Sequence, residues 1–167
     1  MHRWWIALVL SVIAWSSACR AGGEYVTGER GPSEVDRGEA NGRMFDFVSN
    51  MPEGDDWQIR VRDNSLWAAY GDGKKTKELG TASLSSKDAK KLWDIVDDID
   101  IAGRKKGQQD EDEGYVQLRL REPGDEEHEL YEIYVSRADA EDDEEVLALA
   151  EQLQKLVEKY LKKRPEF

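Results

Sequence analysis

The feature that most limits how this chain can fold is a set of four short segments with regularly placed apolar residues. Residues 57–62 read WQIRVR, and a turn at 63–65 separates them from the largely apolar segment 66–70. Residues 115–121 and 130–136 flank a Pro-Gly turn, and apolar and polar residues alternate in them. Because alternation places apolar side chains on one face of a strand, both pairs predict β-hairpins.

Two further strands and two helices complete the predicted domain. We expect strands at 44–48 and 78–84, a helix that begins with a capping box at 85 and ends near 103, and a long helix at about 142–163. This order of elements predicts a single α+β domain over residues 43–167. It would consist of an antiparallel sheet built from four to five of these segments, with two helices packed on one face.

The first 18 residues have the layout of a secretory signal. One arginine precedes the apolar run 6–15, and small residues follow at 16–18. The run is shorter than the roughly 18 to 20 apolar residues that a membrane-spanning helix needs. We therefore expect export and removal of residues 1–18.

Cys19 is the only cysteine of the chain, so the exported protein would have no internal disulfide. Residues 16–19, Ser-Ser-Ala-Cys, resemble the lipobox of bacterial lipoproteins, although Ser16 stands where that pattern usually has an aliphatic residue. The resemblance implies that Cys19 is acylated and anchors the protein to a membrane of the cell envelope. The resemblance also implies that an aspartate directly after the lipidated cysteine would favour the inner membrane. Residue 20 is an arginine, so the outer membrane is favoured over the inner one. Ordinary signal cleavage would instead give a soluble secreted protein.

Residues 19–42 join the expected lipidation site to the domain. From residue 20 to 42 the chain has six glycines, one proline and eight charged residues, with almost no aliphatic residues. Such a composition buries too little apolar surface to offset the entropy of ordering. We expect a flexible tether with an end-to-end distance of about 25 Å.

The charge and the histidine content exclude several classes of function. The chain has 36 acidic and 24 basic residues, and its net charge of -12 disfavours binding to a nucleic-acid backbone. After removal of the signal, His128 would be the only histidine, which excludes zinc sites with several histidines. No glycine-rich phosphate-binding motif or G-x-S-x-G motif is present. We therefore expect no catalytic site and no cofactor. We also expect the protein to be a monomer.

Acidic runs at 97–100, 110–113 and 139–145 are the candidate ligands for calcium, which takes six to eight oxygen atoms. The first run matches the start of an EF-hand loop, but Ala102 stands at the third ligand position and Gln109 at the closing glutamate. The alternative interpretation of the chain is accordingly a structural or Ca²⁺-responsive acidic envelope lipoprotein.

Four arginines depart from the acidic character of the chain. They occupy the polar positions of two predicted strands, so they would point away from the helices. These residues are Arg60, Arg62, Arg119 and Arg121.

Two aromatic residues are expected on the same face as these arginines. Tyr134 lies on the last strand, and Trp67 is in opposite phase to its apolar neighbour, whereas Trp57 and Trp93 are expected in the core. The function predicted for this face is docking of an acidic envelope or secreted protein, with Trp67 as the aromatic anchor. The alternative is a solvated face with cross-strand ion pairs to Glu78 and Glu132.

Three patterns in the chain resemble those of a known family. They are the strand-to-helix junction at 84–88, the helix end at 99–101, and the strand 115–119 before the last hairpin and helix. This order is similar to that of small bacterial domains that include the emfourin-type inhibitors of thermolysin-like metallopeptidases. The resemblance implies a non-catalytic protein-binding domain, with peptidase inhibition as one activity. The chain would then be a lipid-anchored protein that presents such a domain.

Overall fold

A computed structural model of the protein describes residues 42–72, 74–123 and 129–167. The expected signal, Cys19, the tether up to residue 41 and His128 lie outside these residues. The described chain forms one antiparallel sheet with the strand order β4-β3-β2-β1-β5-β6. Its strands are β1 (Met44–Asn50), β2 (Asp56–Arg62), β3 (Ser65–Gly71), β4 (Thr76–Ser83), β5 (Tyr115–Glu122) and β6 (Glu129–Ser136).

Three helices accompany the sheet: α1 (Ser86–Asp98), α2 (Arg137–Asp142) and α3 (Glu144–Leu161). The prediction of an α+β domain with an antiparallel sheet is confirmed, whereas the predicted numbers of strands and helices are too low. The described sheet has six strands, and the described helices number three. No helix within the described ranges is long and apolar enough to cross a membrane.

The additional helix arises from a break at Asp143. This residue has extended backbone angles, and its carboxylate accepts hydrogen bonds from the backbone N–H groups of Glu145 and Val146. An aspartate in this position satisfies two of the free N–H groups at a helix N-terminus. The acidic segment therefore starts a new helix at Glu144, and the preceding turns form the separate short helix α2.

The ends of α1 and α3 also differ from the sequence expectations. Ser85 caps α1 as predicted, since its hydroxyl accepts a hydrogen bond from the Asp88 N–H at 3.2 Å, but the Ser85 N–H donates to the Tyr160 hydroxyl rather than to Asp88, so half of the capping box is formed. The helix ends at Asp98, before the expected residue 103, because the chain turns at Asp100 with a φ of 50°. Helix α3 ends at Leu161 because Lys162 adopts a left-handed conformation, and Pro165 lies beyond this end.

Strand β1 lies at the centre of the sheet, with β2 on one side and β5 on the other. Phe45 and Phe47 are fully buried on one of its faces. They belong to a core cluster that also contains residues of α1 and α3, among them Leu92 and Leu153. The helices therefore cover the sheet face that carries the two phenylalanines.

The last described residues close one end of this core. The Phe167 ring lies 4.8 Å from that of Phe47 and 6.4 Å from that of Trp57, measured between ring centroids. The side-chain amide of Gln154 on α3 donates a hydrogen bond to the Phe167 carbonyl oxygen at 3.3 Å. Trp57, which is buried, also stacks on Tyr70 at 4.8 Å. Its predicted place in the core is confirmed.

Candidate functional site

The structure brings the four predicted arginines together on the sheet face opposite the core. The register of β1 with its neighbours aligns Asp46 with one arginine on β2 and one on β5, and it aligns Met44 with the other two. We call the surface formed by the four arginines and the two predicted aromatic residues the arginine face. Its members are Arg60, Arg62, Trp67, Arg119, Arg121 and Tyr134.

Asp46 forms the centre of the arginine face. Its side chain is 5% exposed, and its Oδ1 atom accepts a hydrogen bond of 2.5 Å from the Nε atom of Arg60. The other carboxylate oxygen is buried without a hydrogen-bond partner among the described residues. The guanidinium of Arg60 also lies 5.8 Å from the ring centroid of Trp67. Asp46 therefore positions Arg60 against the indole ring.

The partner of Arg60 is a functional feature that the sequence analysis missed. The alternative interpretation pairs the arginines with Glu78, but in the structure Glu78 is aligned with Ala69 and Arg60 pairs with Asp46. A single acid between two phenylalanines was the available signal. A charged residue in an otherwise apolar central strand requires a partner when it is buried.

Glu132 organises the other side of the arginine face. It accepts hydrogen bonds from Arg119 at 3.0 Å, from the Tyr134 hydroxyl at 2.8 Å and from the Gln117 amide at 3.0 Å. Lys106, from the loop before β5, lies 3.1 Å away. The predicted cross-strand pairing to Glu132 is thus present. These contacts hold Arg119 and Tyr134 in fixed positions on the face.

Burial and hydrogen bonding act in opposite directions on Glu132. Burial alone would raise the pKa of its carboxyl group. Hydrogen bonds from Tyr134, Lys106 and Arg119 outweigh that effect and lower the pKa to about 2, from an ordinary value of 4.5. The Glu132 carboxylate is therefore charged at neutral and mildly acidic pH, where it can orient Arg119.

The depressed pKa of Glu132 predicts a contribution to stability that is lost in acid. This contribution is fully present above about pH 4.5 and disappears as the pH falls towards 2, because the unfolded chain then binds a proton more tightly than the folded one. We expect Glu132→Gln to remove about 2 kcal/mol of this pH dependence. Urea unfolding of both proteins from pH 7 to pH 2 measures it, and parallel curves would contradict the assignment.

The three tryptophans outside the expected signal have different environments. Trp67 lies on the arginine face and is half-buried, while its neighbour Leu66 is fully buried, so the predicted opposite phase is confirmed. Trp93 packs against the core but is only partly buried. Its indole N–H donates a hydrogen bond of 2.8 Å to the Asp63 carbonyl oxygen. Trp67 is therefore the tryptophan available to the arginine face.

A side chain of the protein lies in the acidic segment at the start of α3. The Arg104 guanidinium contacts the carboxylates of Asp143 and Glu145, and the hydrogen bond from Arg104 lowers the pKa of Asp143. Arg104 therefore supplies the positive charge that this part of the acidic run 139–145 contacts. Within residues 42–72, 74–123 and 129–167, no group of three or more histidine, cysteine or acidic residues has a geometry that could hold a metal ion.

The acidic loop at 110–113 is organised by its own backbone. The Asp110 carboxylate accepts hydrogen bonds from the N–H groups of Asp112 at 3.1 Å and Glu113 at 2.9 Å. This is the local turn that aspartate commonly makes. The geometry accounts for the position of Asp110 without a ligand.

The arginine face thus combines guanidinium groups, two aromatic rings and two acidic side chains that orient the arginines. Guanidinium groups bind carboxylates through paired hydrogen bonds, and aromatic rings supply contact area. No protein-family model matches this chain, and a search of curated proteins likewise finds no match.

Proposed function

We propose that this protein is a lipid-anchored component of the cell envelope whose small, non-catalytic domain binds another protein through the arginine face. The observation that carries the proposal is the grouping of four arginines with Trp67 and Tyr134 on one sheet face of a chain whose net charge is -12. Arginine and large aromatic residues dominate the binding energy of protein interfaces.

The charge of the face favours an acidic partner. The rest of the chain is rich in acidic residues, so a negatively charged protein would be repelled elsewhere and attracted to this surface. Asp46 and Glu132 hold Arg60 and Arg119 in place before binding. A fixed side chain loses less conformational entropy when it binds, which favours recognition.

The anchor belongs to the same proposal and rests on the sequence. Lipidation of Cys19, with a tether up to residue 42, would present the domain at a membrane surface, with the outer membrane favoured over the inner one. Intact mass of the protein from its host membrane fraction tests this part. Diacylglycerol and an acyl chain on Cys19 are expected, whereas an unmodified chain in the medium would mean a soluble secreted protein.

Crosslinking in the host envelope tests the binding function. We expect a double variant Arg62→Gln and Arg119→Gln to lose most of the crosslinked partner, because one arginine is removed on each side of β1. Arg60 is left unchanged, since its loss would strand the buried Asp46.

The matched control for this experiment is Lys90→Gln with Lys155→Gln. These two lysines are exposed on α1 and α3, away from the arginine face, and their replacement changes the net charge equally. Equal loss of the partner in both double variants, or no loss in either, would contradict docking on the arginine face.

The resemblance to emfourin-type domains adds an activity assay, in which the purified chain is expected to inhibit a thermolysin-like metallopeptidase.

A further inference from the structure

The arginines of the arginine face form two parallel rows. Arg60 and Arg62 lie two residues apart on β2, and Arg119 and Arg121 lie two residues apart on β5, with β1 between the rows. Strand geometry separates alternate residues by about 7 Å along a strand and the two outer strands by about 10 Å. The four side chains therefore start from the corners of a rectangle centred on β1.

The spacing of about 7 Å within each row matches the spacing of side chains on one side of an extended chain. In an extended segment, side chains that point to the same side are also about 7 Å apart, and such a segment is about 5 Å wide. One strand fits between rows that are about 10 Å apart. Its alternate residues would then meet successive arginines, as carboxylates do when they bind guanidinium groups in pairs.

From this spacing we infer that the partner contributes an extended acidic segment that lies along β1 and carries a carboxylate at every second residue. The inference rests on the proposed function, because it specifies what the arginine face recognises. Trp67 on β3 and Tyr134 on β6 lie outside the two rows and flank the segment. The partner residues between the carboxylates point to solvent and carry no charge requirement.

The width of the surface favours a segment over an anionic membrane. Asp46 and Glu132 lie among the arginines, and the acidic loop 110–113 is largely exposed. A wide negative surface would face all of these acids at once. Acids near the face would repel such a surface, because charges within about 8 Å of each other are only partly screened at physiological salt. A segment one strand wide passes over Asp46, which already pairs with Arg60, and does not reach Glu132 on β6.

Two synthetic peptides of identical composition test the inference. In one, single glutamates alternate with single serines; in the other, pairs of glutamates alternate with pairs of serines, so that glutamates on the same side of an extended chain are about 14 Å apart. Calorimetric titration into the full chain in a nonionic detergent is expected to give about fivefold tighter binding of the alternating peptide, because only its carboxylates match the arginine spacing. The Arg62→Gln and Arg119→Gln variant should lose about tenfold in affinity for it.

The control variant Lys90→Gln with Lys155→Gln should bind the alternating peptide as the unmodified chain does. Equal affinity for the two peptides, or no binding of either, would overturn the inference. Monomeric short-chain phosphatidylglycerol is the lipid probe. If the arginine variant loses affinity for this lipid and the unmodified chain binds it more tightly than the peptide, the inference is also overturned. Protein binding itself is judged by the crosslinking experiment, so the two proposals can fail separately.

Discussion

Replacing Arg60 by Met is expected to lower the free energy of unfolding by about 3 kcal/mol. The reason is the partner that would remain. The whole Asp46 residue is 3% exposed, and its Oδ1 atom accepts a hydrogen bond from Arg60. Its second carboxylate oxygen already has no hydrogen-bond partner among the described residues. Without the guanidinium, a buried carboxylate would be left without its ion-pair partner, and desolvation of an uncompensated charge is costly.

A double variant separates this effect from the loss of the arginine's own packing. Asp46→Leu together with Arg60→Met should be more stable than Arg60→Met alone, because the stranded charge is gone. Arg119→Met is the control: it faces Asp46 from the opposite strand, but its partner Glu132 keeps Tyr134 and Lys106. We expect this control to cost about 1 kcal/mol. Urea unfolding at neutral pH measures all four proteins, and equal costs for the two single arginine variants would contradict the central role of Asp46.

Replacing Phe47 by Ala should cost about 4 kcal/mol, the largest effect expected for a single residue of the core. The Phe47 ring is fully buried on the central strand and contacts Phe167. Its removal leaves a cavity that neighbours on two adjoining strands cannot fill. Because domains of this kind are stable by only about 5 to 15 kcal/mol, the loss would be a large fraction of the total.

Two comparison variants make this prediction specific. Phe47→Leu keeps most of the volume and should cost about 1.5 kcal/mol. Leu130→Ala removes a large apolar side chain that is 58% exposed on the edge strand β6, and it should change stability by less than about 0.5 kcal/mol. Thermal and urea unfolding measure the series. Similar losses for Phe47→Ala and Leu130→Ala would contradict the burial of Phe47 in the core.

The two hairpins and the first helix cap could be predicted because their signals are local. Alternation in 57–62 and 115–121 fixes which side chains face the core, and Ser85 caps α1 through its own hydroxyl. The grouping of the arginines followed from the same alternation. Phase within a strand is a property of the sequence, and the register then placed the two rows on either side of β1.

The position of β1 could not be predicted in the same way. Its neighbour β5 comes after β4 and α1, and nothing local in either segment specifies that pairing. The contact between Asp46 and Arg60 depends on the register of β1 with β2, which the alternation of apolar and polar residues does not specify, so it was missed as well. The break at Asp143 was hidden because an acidic residue there suits both a continuous helix and a new N-terminus.

The central place of β1 also has a consequence for the order in which the protein folds. Strands β1 to β4 follow one another and can pair through short turns, which leaves one edge of β1 open with Phe45 and Phe47 beside it. That edge is covered only when the β5–β6 hairpin, made much later in the chain, docks against it. An unpaired edge beside exposed aromatic residues invites pairing with other chains. Arrival of the last hairpin is therefore the step that protects the half-formed sheet from aggregation.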